Sequence, residues 1–230
     1  MNLVSQVSFS YGITSIIEFI GLIVAFLIAF QSLRIYRYVR DKKYRLFSTS
    51  FLFLGTSYIF KIFSNLTVSY KVSIFNPAMI IEAFNKLTYF QAAQFLSFIL
   101  FKSFLLLGFL LLFLITIKID KKREIILLIY LGAISVFISI FLDPIFNLTI
   151  SVILLFLTFN FYENYQKKAS KNSFLVFNAF FMMFIGSLVG TFKGFHLLVH
   201  IAESFFFLAG FTILLVNHLS LKIKNGKKKK

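Results

Sequence analysis

Long apolar runs, each about the 17 to 25 residues needed to cross a hydrocarbon core roughly 30 Å thick, recur seven times along the chain. They cover Ile13 to Leu33, Leu46 to Leu66, Ala92 to Ile117, Ile125 to Leu142, Ile145 to Phe161, Ser173 to Thr191, and Phe195 to Leu219. Only "DPIFN" separates the fourth and fifth runs, and one merged run would be too long for a single span. A tight hairpin turning at Asp143-Pro144 is therefore expected. The pattern predicts an all-α, polytopic membrane protein of seven transmembrane helices, with residues 1–222 as the bundle and 223–230 as a basic tail.

Composition supports this class. Of the 230 residues, 59% are hydrophobic and 35 are Phe, more apolar material than a soluble domain of this length can bury. With no Cys, disulfides and thiolate metal sites are excluded. The opening "MNLVSQVSFSYG" lacks the basic region, apolar core and small-residue cleavage site of a secretory signal, so the first run is expected to be retained.

The charge of +16 then becomes a topology signal. Arg34, Arg37, Arg40, Lys42, Lys43 and Arg45 follow the first span; Lys118, Lys121, Lys122 and Arg123 the third; Lys167, Lys168 and Lys171 the fifth; Lys222, Lys224 and Lys227 to Lys230 the seventh. In the alternate connections only Lys71, Lys86 and Lys193 occur. Cytoplasmic loops collect Lys and Arg, which predicts an outside N-terminus and a cytoplasmic C-terminus for a multi-pass membrane protein, in the cell membrane if the source is prokaryotic. Besides the bilayer itself, anionic lipid is an expected partner at the cytoplasmic face. Nucleic acid is not, because these charges are divided among four short segments. A homo-oligomer or a signalling partner is compatible with this plan.

The long outer connection carries its own signal. Asn76-Pro77 reads as a helix start, and Met79, Ile80, Ala83, Phe84 and Leu87 repeat at helical spacing, predicting a short amphipathic helix between the second and third spans. Asn-x-Thr triplets at Asn65 and Asn147 fall on the outer side, almost against the membrane.

Apart from His218 at the cytoplasmic boundary of the last span, six ionisable residues lie inside the spans, all in the outer half. At 1.5 Å per residue, Glu18 and Lys61 sit roughly 8 Å below the outer boundary, and Lys102 and Glu203 roughly 14 Å; His196 and His200 lie above Glu203. On the last helix His196, His200, Glu203, Gly210 and Asn217 form one stripe. Ser50, Ser57, Lys61 and Ser64 form another, Gln91, Gln94, Ser97 and Lys102 a third, and Ser15 with Glu18 a fourth. An unpaired charge at mid-bilayer costs at least a few kcal/mol. The stripes should therefore face one another around an outward-opening polar pocket containing Glu18, Lys61, Gln94, Lys102, His196, His200 and Glu203, with Lys102 and Glu203 close enough to interact. Gly186 and Gly190, in "GSLVG", read as a close helix-packing pair.

Three functions follow from such a pocket. It binds a small ligand or ion in a receptor, sensor or carrier; or it is a catalytic metal site; or its charges only specify helix packing. For the second, His196-x3-His200-x2-Glu203 puts two imidazoles and a carboxylate on one face, a donor set for zinc or another divalent metal. "HLLVH" resembles the His-x3-His of the seven-span ceramidase and adiponectin-receptor-like hydrolases, and the resemblance implies metal-dependent hydrolysis of a membrane-embedded substrate. Those families bring a further His and an Asp from earlier helices, whereas the remaining histidine here is His218, at the other end of the last span. A retinal Schiff base needs a lysine deep in that span, which has none before Lys222. "RIYRYVRDKKYRLFSTSFLFLG" and a final "GFH" helix with a basic tail resemble uncharacterised seven-helix membrane proteins of archaea and other prokaryotes and the seven-span sensor regions of prokaryotic kinases, a likeness that implies a fold and no chemistry.

Overall fold

The computed structural model describes residues 3–74, 80–117, 122–193 and 197–227. They form α1 (Leu3–Val39), α2 (Lys42–Ile74), α3 (Ile80–Ile117), α4 (Lys122–Ile138), α5 (Asp143–Lys168), α6 (Lys171–Gly190) and α7 (Leu197–Lys227), with no strand among the described residues. All except α4 are long and apolar enough to cross a membrane.

The described connections, at residues 40–41, 139–142 and 169–170, are short. Arg40 and Ala169, both with positive φ, end α1 and α5 in the left-handed conformation, and their N–H groups bond Tyr36 O at 2.8 Å and Tyr165 O at 2.7 Å. The next helices start on side-chain caps: Asp41 accepts from Lys43 N at 3.0 Å, and Ser170 from Ser173 N at 3.2 Å.

Packing closes six helices into a ring in the order α1, α2, α3, α5, α6, α7, and α7 returns to α1. Because α4 touches only α3 and α5, it lies outside the ring. Gly132 of α4 meets Leu106 of α3, where an added Cβ would be 2.5 Å from Leu106 Cδ2, and Lys102 meets Ser139 just beyond α4, so α4 runs antiparallel to α3. Ile126, Tyr130 and Phe137 point outward, and only Gly132, Ser135 and Val136 of α4 are buried.

The ring interior mixes Phe51, Phe109, Phe180 and Phe211 with buried Ser, Thr, Asn, Glu and Lys, while Phe19, Phe30, Phe156 and Phe205 are exposed. Apolar side chains outward and ionisable ones inward are what a hydrocarbon solvent selects. Small residues let the helices approach. An added Cβ on Gly210 would lie 2.7 Å from Ala179 O, and one on Gly186 would lie 2.9 Å from Phe206 Cβ, so the "GSLVG" pair is a packing seam between α6 and α7.

Three expectations are corrected. The amphipathic segment from Ile80 is the first part of α3 and not a separate helix; Asn76, Pro77 and Met79 fall outside the described residues. The turn between α4 and α5 occupies residues 139–142, and Asp143-Pro144 instead opens α5. Proline suits a first turn because its missing N–H would have no helical acceptor there, and an aspartate complements the positive end of the helix dipole. Asn65 and Asn147 are buried within helices, where each amide donates to another helix, which leaves neither triplet presented on the surface.

Candidate ligand pocket

Helical spacing brings the polar groups together at one end of the ring. Ser10, Thr14 and Glu18 recur every fourth residue on α1 and are all buried, and the same face continues through Ala25, Ile28 and Ser32. Across from it, α2 presents Tyr58, Lys61 and Asn65, and α7 presents Glu203 and Ser204.

Glu18 is the centre of one ionic group. Its Oε1 lies 2.9 Å from Lys61 Nζ and accepts from Ser204 Oγ at 3.2 Å, while Oε2 accepts from Asn65 Nδ2 at 2.8 Å. Three donors from two neighbouring helices thus offset the desolvation of a carboxylate that is 1% exposed. Lys61 Nζ also reaches Ser204 Oγ at 3.5 Å and lies 5.4 Å from the centre of the Phe101 ring.

A second group links α3, α5 and α7. Lys102 pairs with Asp143 Oδ1, donates to Ser139 O at 3.5 Å, and lies over the Phe98 ring at 3.8 Å. The other oxygen, Asp143 Oδ2, is 3.4 Å from Lys193 Nζ, which is in turn 3.3 Å from Glu203 Oε2. His200 Nδ1 lies 3.8 Å from that Glu203 oxygen. The direct Lys102 to Glu203 pairing expected from their equal depth is therefore not what forms: each has a closer partner of opposite charge, Asp143 for Lys102 and Lys193 for Glu203. Burial acts to lower the Lys193 pKa, but the two carboxylates outweigh it and hold the ammonium above its ordinary value.

Gly190 makes this arrangement possible from α6. A Cβ there would lie 2.8 Å from Glu203 Cδ, so no other residue leaves the carboxylate its place. Gly190 O accepts from Asn147 Nδ2 at 2.7 Å, and Ser151 and Ser187 bond at 2.9 Å one turn deeper, which fixes α5 against α6.

A cavity of about 370 Å³ opens above these groups. Lys61, Asn65, Gln94, Asp143, Lys193 and His200 contribute its polar walls, and Phe98 and Phe101 part of its apolar wall. Of the residues expected from the sequence, Lys61, Gln94 and His200 line it. Glu18, Lys102 and Glu203 do not line it and are buried, each paired with a residue that does. His196 lies outside the described residues. Sequence reasoning missed Asp143 and Lys193, which it took for a turn residue and a loop residue; the signal available was that both carry charge next to a span end. His218 sits at the opposite end, 3.2 Å from Ser32 Oγ and stacked on Phe47.

Both His200 ring nitrogens and Glu203 Oε2 are buried without a hydrogen bond, Nδ1 and Oε2 facing each other across 3.8 Å, and the His200 ring meets Tyr11 edge-on at 5.4 Å. His200 and Glu203 adjoin, but among the described residues no three His, Asp or Glu side chains form a group able to hold a metal.

No protein-family model matches the sequence, and no curated protein or solved structure shows significant similarity to it. The class rests on the architecture: an all-helical chain with six helices long and apolar enough to cross a membrane, hence a multi-pass membrane protein.

Proposed function

We propose that the chain crosses the membrane seven times, with the N-terminus outside and the C-terminus in the cytoplasm, and that the cavity at its outer end binds a small ligand or ion as part of a receptor, sensor or carrier. For the seventh crossing, support comes from α4, whose 17 residues extend about 25 Å and return the chain along α3 towards Lys102. The basic clusters after α1, α3, α5 and α7 then share one side, where the positive-inside rule wants them and where anionic lipid would meet them.

Helix packing alone accounts for the pair of Glu18 and Lys61, which satisfy each other. It does not account for the cavity itself, about 370 Å³ of open space with Lys61, Asp143, Lys193 and His200 among its lining residues, which a purely packing role would have closed. That observation carries the reading. The chain's lack of cysteine allows a direct test. Ser64→Cys, in the cavity wall, should react with a membrane-impermeant thiol reagent added outside, and Asn217→Cys, deep on α7, should not. A Ser64→Cys variant as inert as Asn217→Cys would mean a sealed interior and a purely structural role for the charges.

A further inference from the structure

The groups facing the cavity are not balanced between donors and acceptors. Glu18 and Glu203 stand behind Lys61 and Lys193, so the cavity sees the ammonium groups more than the carboxylates that neutralise them. Asp143 does line the wall, but its two oxygens are engaged separately, Oδ1 by Lys102 and Oδ2 by Lys193.

Spare capacity therefore lies on the donor side. An ammonium has three N–H donors. Lys61 directs them at Glu18 and Ser204, and Lys193 at Asp143 and Glu203, which leaves each a donor to offer. The Gln94 amide adds further donors, and Tyr11 and His200 lie on the same walls. Against these polar walls stand Phe98 and Phe101, an apolar surface suited to a hydrocarbon group.

Resting on the pocket reading above, we propose that the ligand is a small organic anion, a carboxylate on a compact apolar group, its charge held between Lys61, Lys193 and the Gln94 amide and its apolar part against Phe98 and Phe101. A carboxylate accepts several charge-assisted hydrogen bonds and matches these donors, and the ring faces dehydrate the remainder of a ligand that fits about 370 Å³. An ammonium ligand would meet two lysines already present and find only Asp143, whose oxygens are taken. A neutral ligand would leave the lysine donors with a weaker acceptor.

The test compares benzoate, benzamide and benzylamine, which share a ring and differ in charge, by thermal unfolding of the full chain in lipid nanodiscs. Benzoate should raise Tm saturably, and the other two should raise it less at equal concentration. Gln94→Leu should weaken the apparent benzoate affinity by about tenfold, as for one lost charge-assisted hydrogen bond. The double variant Glu18→Gln with Lys61→Met removes a pair together, leaving no orphan charge, and should also weaken benzoate. A larger shift with benzylamine or benzamide would overturn the anion proposal while the cavity reading stood. No saturable shift with benzoate while Ser64→Cys is labelled from outside would do the same. No shift together with an inert Ser64→Cys would remove both.

Discussion

Glu203 and Asp143 share Lys193, which makes that lysine the hinge of the charge pattern. Lys193→Met leaves both carboxylates short of a counter-charge and should destabilise the protein by roughly 1 to 4 kcal/mol. The pH dependence has a definite sign. The folded-state pKa of Lys193 is raised above its ordinary 10.5, so its contribution is whole below that pH and is lost as pH rises through the folded value. Unfolding measured from pH 8 upward should therefore show wild type and Lys193→Met converging only at alkaline pH. Double-mutant cycles separate the pairs: Lys102→Met with Asp143→Leu should couple by about 1 to 3 kcal/mol, and Lys102→Met with Glu203→Leu by less, because Asp143 and Lys193 stand between them. Equal coupling in the two cycles would reinstate the direct pair.

Among the elements, α6 is held by contacts that only glycine permits. Gly190→Ala pushes its Cβ into the Glu203 carboxyl and should cost about 1 to 3 kcal/mol, the usual penalty of overpacking. Gly12→Ala on α1 meets nothing within 4 Å and should be neutral or stabilising by up to about 1 kcal/mol, since alanine gives up less backbone freedom in a helix. Thermal unfolding of the two variants side by side checks both. The opposite order would mean that α6 and α7 are free to separate. By contrast α4 buries only Gly132, Ser135 and Val136, packing Gly132 against Leu106 of α3.

For the whole molecule, the proposed topology makes a prediction of sidedness. Single cysteines in the turn of residues 139–142 and in the connection of residues 75–79 should be labelled from outside intact cells. Cysteines in the connection of residues 118–121 and after Lys230 should react only once the membrane is opened. Labelling of residues 118–121 and 139–142 from the same side would show that α4 does not cross and would leave six spans.

Much of this was legible in the chain. Apolar run length is a local property, so it located all seven helices, and helical phase, also local, identified Glu18, Lys61, Lys102 and Glu203 as residues that turn inward. Depth could rank these residues but could not choose their partners. Counting residues places a side chain along one axis, and a partner is decided by which helices are neighbours around the ring. Only the tertiary structure set that order, with α4 outside and α5 beside α3, and so brought Asp143 to Lys102. It also folded Lys193 from the turn after α6 back over Glu203, a position that belongs to no helical stripe and leaves no period in the sequence. Charge pairing in a low-dielectric interior falls to whichever opposite charge packing brings nearest, which is why the sequence fixes the inward-facing set and the packing fixes the pairs.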